Sequence, residues 1–167
     1  MKKYLILISL LVGIHNVAIT QNNWYPISAN NYSFEMIDTP IIVVDTNVIF
    51  YQGLHDSIHN MQAHFIDSFY VSSMGVTVDS LLNLFTQQLL FLSNGQLVSL
   101  QNTSTANYNG RSIGIQYNEG NGLTMFMFIQ LYCWQGHLLS CSITGKQSDL
   151  LMLNAYKNYY FQTIQIF

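Results

Sequence analysis

The spacing of hydrophobic and polar positions changes several times along the chain, and each change predicts an element. Across residues 31–35, Tyr32 and Phe34 alternate with polar neighbours, the mark of a short strand. Residues 41–51 are rich in β-branched side chains and are interrupted by Asp45-Thr46-Asn47, which predicts one strand, or two joined by a turn. The polar stretch 53–60 reads as a loop. Ala63, Phe65, Asp67, Phe69 and Val71 then share one face of a further strand over 63–71. Next the period lengthens. Val78, Leu81, Leu82, Phe85, Leu89 and Leu92 recur at helical spacing, Thr77 or Asp79 can cap the first turn, and Asn94-Gly95 can stop it, so a helix is expected over 77–93. Leu84 and Phe91 lie off that stripe, seven residues apart on another face.

After this helix the pattern returns to period two. Residues 96–101 begin a meander that can extend towards Tyr108, Asn109-Gly110 marks a turn, and residues 112–118 alternate Ile113, Ile115 and Tyr117. Glu119-Gly120-Asn121-Gly122 is a second turn. Residues 123–134 are apolar on both faces. Leu123, Met125, Met127, Ile129, Leu131 and Cys133 point one way, and Phe126, Phe128, Tyr132 and Trp134 the other. A strand of that kind belongs in the middle of a sheet covered on both sides. Residues 137–144 return beside it through a turn at Gln135-Gly136. A second helix over 148–163, begun by Ser148 or Asp149, presents Met152, Leu153, Tyr156, Tyr160 and Thr163, and the tail 164–167 packs or adds a short strand. The order predicts the α+β class: a mostly antiparallel sheet between two helices, an α/β/α sandwich.

The start of the chain has a different logic. Met1-Lys2-Lys3 is a short positive segment, residues 5–14 are almost wholly apolar, and Ala18 and Thr20 are small enough to precede a signal-peptidase cut before Gln21. The apolar run is shorter than the ~20 residues that span a bilayer. Residues 1–20 are therefore expected to be a cleaved signal peptide and 21–167 a single exported domain, periplasmic or extracellular, with no stable membrane insertion.

Hydrophobic residues make up 50% of the chain and charged ones 8%, which excludes disorder. After residue 20, eight carboxylates face three cations, Arg111, Lys146 and Lys157, a formal charge of −5. Nucleic acid and anionic membrane surfaces are poor partners for such a chain, since both require a basic footprint. In the hairpin register Cys141 lies opposite Gln130. Cys133 is three residues further along, about 10 Å at strand rise, beyond the ~7 Å that separates disulfide Cα atoms. The register thus disfavours a bridge.

Several phrases, taken in order, resemble the PsbP/Mog-type fold family of small α/β/α sandwiches. They are the aromatic strand Tyr32-Ser33-Phe34-Glu35-Met36-Ile37-Asp38-Thr39-Pro40, the long helix after Phe69–Val71, the turn Tyr108-Asn109-Gly110-Arg111-Ser112-Ile113-Gly114, and the closing Asn158-Tyr159-Tyr160-Phe161-Gln162-Thr163-Ile164. Ile37 stands where that family often has a proline. The resemblance covers about residues 31–167. Members include an extrinsic photosystem II subunit, a nuclear-transport accessory factor, effector chaperones and exported bacterial proteins, so it implies a binding or accessory module without a catalytic set.

The residues agree that chemistry is sparse. His55, His59 and His64, with Asp56 and Asp67, are the densest group of possible metal ligands, but no HExxH motif accompanies them. Ser72-Ser73-Met74-Gly75 lacks the Gly-x-Ser-x-Gly frame of a nucleophile elbow. Asp67 on an apolar strand face is a candidate buried acid, and Arg111 a structural one. The aromatic set Phe126, Phe128, Tyr132 and Trp134 either lines a pocket or serves helix packing. Leu84 and Phe91 are the better interaction candidates. The expected function is a non-catalytic binding or accessory protein whose partner is another protein, with no cofactor. A small-ligand or metal carrier is the alternative, and a hydrolase the least supported reading.

Overall fold

The computed structural model describes residues 24–55, 59–67, 75–120 and 122–167. The expected signal peptide, residues 1–20, lies outside them. Ten strands and two α-helices are defined among the described residues: β1 (Trp24–Ser28), β2 (Tyr32–Ile37), β3 (Ile41–Asp45), β4 (Val48–His55), β5 (His59–Ile66), α1 (Val78–Ser93), β6 (Gln96–Asn102), β7 (Asn109–Asn118), β8 (Thr124–Trp134), β9 (His137–Lys146), α2 (Leu150–Thr163) and β10 (Gln165–Ile166). Seven strands form one antiparallel sheet in the order β3-β4-β5-β9-β8-β7-β6, and β1-β2-β10 form a small second sheet.

The long helix forms where its periodicity places it. Thr77 Oγ1 accepts from the Ser80 amide at 3.2 Å, and Asn94 ends the helix in the left-handed region. Leu81 and Leu82 are fully buried against Ile113, Ile115, Ile129, Leu131, Cys133 and Leu138 of the sheet. Each leucine contributes about 1.5–3 kcal/mol by leaving water. On the other side of the sheet, α2 and the small sheet enclose an aromatic core. Tyr32, Phe34, Tyr51, Trp134, Tyr156 and Tyr160 pack there with Met61, Leu139 and Ile143. Three of its hydroxyls are partnered: those of Tyr32 and Tyr51 meet at 2.9 Å, and that of Tyr160 donates to the Gln62 carbonyl at 3.1 Å. The two faces of β8 divide as the alternation predicts, with Ile129, Leu131 and Cys133 under α1, and Tyr132 and Trp134 in the aromatic core.

Several expectations are corrected. Residues 53–55 and 59–60 are strand and not loop, and 56–58 lie outside the described residues. β4 ends at His55 and β5 begins at His59, pairing Gly53 with Met61 and Leu54 with Asn60, because backbone pairing serves polar side chains as well as apolar ones. The strand predicted over 63–71 ends at Ile66. Asp67 follows it, its amide donating to the Asn47 carbonyl at 2.8 Å, and Phe69 and Val71 lie outside the described residues. Asn109-Gly110 is not a turn but the start of β7, paired with Cys133 and Tyr132. The eleven-residue β8 needs a partner along that length, so the reversal moves upstream, where Thr103 donates to Gly110 and Thr105 to Tyr108, both at 2.9 Å. Within the helices, Leu92 is 80% and Met152 47% exposed. The sheet buries neither of them, while Thr86, absent from the predicted stripe, is buried with its hydroxyl on the Leu82 carbonyl at 2.8 Å. β1 was not foreseen.

Candidate functional site

Neither helix covers its whole sheet face. On one face α1 packs against β7, and on the other α2 packs against β9, β2 and β8. The coverage is offset, so each face keeps an open corner, and the two corners lie on opposite sides of the molecule.

The first corner lies beside α2. Two rows of paired residues cross the sheet there. One runs Gln101, Ser112, Gln130, Cys141, Ala63, and the other Ser99, Gly114, Phe128, Ile143, Met61. Cys141, Ala63, Ile143 and Met61 are fully buried under the small sheet and α2. Beyond α2 each row turns polar or loses its side chain. A register shift between Leu97 and Ser99 in β6 brings Ser99 opposite Gly114, and Gln101 then follows on the same face. The result is a cleft of about 420 Å³ whose floor is Ser99, Gln101, Ser112, Phe128 and Gln130 and whose wall is Lys157, Asn158, Phe161 and Gln162 of α2. The Lys157 ammonium lies 4.5 Å from the Phe128 ring centroid and donates to Asn154 Oδ1 at 2.9 Å. Partial burial pushes that ammonium below the ordinary lysine value. The Tyr132 hydroxyl donates to Gln130 Oε1, which leaves the carboxamide N–H₂ to face the cleft.

The second corner lies beside α1. Phe85, Gln88, Leu89 and Leu92 form one wall of a groove of about 220 Å³, floored by Gln62, His64, Ser140 and Ser142 with Met127 and Ile129. Leu84 and Phe91 stand four residues before and three after Gln88, so they flank this wall on its outer side. They are 43% and 85% exposed.

In the β4–β5 backbone register His55 pairs with His59, while His64 stands five residues further along β5, opposite Phe50. His64 packs edge-on to Phe50, with 4.7 Å between ring centroids. Asp56 and Ser72-Ser73-Met74 lie outside the described residues. Arg111 holds α1 to β7 by donating to Asn83 Oδ1. Cys133 and Cys141 are free and buried on opposite faces of the sheet, Cys141 opposite Gln130 as the turn register predicts. That register comes from Gln135 and Gly136, both with positive φ.

The α2 cleft was missed by the sequence reading, although one signal points to it. Gln130 is the polar member of the face that otherwise carries Phe126, Phe128, Tyr132 and Trp134. An amide in an aromatic row marks where a covering layer ends.

No sequence family and no curated protein matches the chain. Its backbone is similar to the solution structure of cyanobacterial PsbP from Synechocystis, with a TM-score of 0.63 at 11% identity over 87% of this chain and 94% of that one. It is also similar to a crystal structure of a protein of unknown function from Pseudomonas aeruginosa, with a TM-score of 0.50 at 12% identity over 84% and 95% of the two chains. Layer order, antiparallel sheet and two offset helices thus converge on one description: the chain has a PsbP-like fold.

Proposed function

We propose that this protein is an exported, non-catalytic binding module that acts through contact with another protein, docked on the α1 side. The observation that carries the reading is the α1 surface. Leu84, Phe91 and Leu92 are exposed on one helix, Leu92 lines a groove with Phe85 and Leu89, and the groove floor mixes Met127 and Ile129 with Gln62, His64, Ser140 and Ser142. A rim of large apolar groups around a mixed groove suits an apolar, uncharged protein segment, since α1 carries Asp79 as its one charge. The PsbP-like fold supports the same reading by analogy alone.

The test is capture of partners from the exported fraction of the native cell by the tagged protein and by a Leu84→Asp/Phe91→Asp variant. A protein retained stoichiometrically by the parent and lost from the variant, with the thermal midpoint unchanged, is the expected outcome. Equal retention by both, or no retained protein, overturns the reading.

A further inference from the structure

We propose that the cleft beside α2 is a binding site for a small carboxylate-bearing sugar. This goes beyond the protein-contact reading, because the cleft lies on the opposite face of the sheet from α1. Its volume, about 420 Å³, falls within the ~300–1,000 Å³ range of small-molecule sites. The chemistry of its lining selects the ligand class. Gln101, Asn158 and Gln162 each offer an amide donor and acceptor, Gln130 offers its N–H₂, and Ser99 and Ser112 each offer a hydroxyl. Groups that both donate and accept match sugar hydroxyls, which do the same. A wholly apolar ligand would leave these groups unpaired, at a cost for each.

Two further features narrow the class. Lys157 is the single charged group of the lining, and no carboxylate faces it there. Its ammonium is held in place by Asn154 and the Phe128 ring, partly out of water, where attraction to an anion is less screened. A single cation balances the one negative charge of a carboxylate and leaves a phosphate dianion half-compensated. Phe161, half-buried on the same wall, offers a ring edge or face to the C–H side of a pyranose. The site is built from three adjacent strands and one helix, so its donors are positioned by the sheet ladder and not by loops.

Titration of the ¹⁵N-labelled protein with galacturonate and with galactose tests this. Galacturonate should shift the side-chain amide signals of Gln101, Gln130, Asn158 and Gln162, and galactose should bind at least about tenfold more weakly, the size of one charge-assisted hydrogen bond. Lys157→Gln should abolish the difference between the two sugars with the rest of the spectrum unchanged, and Gln162→Ala should weaken both. The proposal is overturned if neither sugar moves these amides, if Lys157→Gln keeps the preference for the acid, or if acetate or inorganic phosphate displaces galacturonate at equal concentration. The Leu84→Asp/Phe91→Asp variant should titrate like the parent.

Discussion

Cys141 sits in the aromatic core with no exposed surface, and burial pushes its thiol from an ordinary 9.0 up to about 12. Burial also raises the Cys133 thiol and the phenols of Tyr32, Tyr132 and Tyr160. These groups are held neutral, which makes them packing elements and not nucleophiles. The linkage has a definite sign. The folded state keeps the Cys141 proton above pH 9.0, where the unfolded chain releases it, so the stability from this thiol is complete below 9.0 and is lost as pH rises towards about 12. Urea midpoints measured upward from about pH 8 should fall, and should fall less steeply in Cys141→Ala. Iodoacetamide should label neither cysteine in the native protein and both in urea.

Among the elements, what the sequence reveals depends on what each segment packs against. The α1 stripe, its Thr77 cap and the β8–β9 hairpin were legible because local pattern and final environment agree. The outward turns of Leu92 and Met152 were not, since periodicity names a face but not how far the opposing sheet extends. β1 escaped notice because it pairs with β2 along Trp24↔Ile37 to Ser28↔Ser33 while carrying Pro26, a residue that argues against a strand. The α2 cleft was hidden for a related reason: its residues come from β6, β7, β8 and α2, and only the strand register aligns Gln101, Ser112 and Gln130. Gly53 shows how tightly the two sheets meet. A Cβ placed there would lie 2.8 Å from the Ile37 carbonyl oxygen, a backbone atom that has no rotamer to change. Gly53→Ala should therefore destabilise the fold by about 1–3 kcal/mol, seen as a lower urea midpoint at unchanged slope.

For the whole molecule, the offset of the two helices separates two surfaces of different character, an apolar groove beside α1 and a polar cleft beside α2, with a packed sheet between them. Among the described residues no helix is long and apolar enough to cross a membrane. If residues 1–20 direct export, the protein recovered outside the cytoplasm should begin at Gln21, as intact-mass and terminal sequencing would read directly. The sheet also ends in an open margin. Ile41, Ile42, Val43 and Val44 of β3 are each more than half exposed, and no charge interrupts them before Asp45. Among the described residues no strand pairs with the outer side of β3, whose main-chain donors and acceptors are left unmatched by them. In a concentrated solution such a border is a template on which further copies can stack into filaments, and a Val43→Lys substitution should delay the onset of light scattering on storage while leaving the monomer's circular dichroism unchanged.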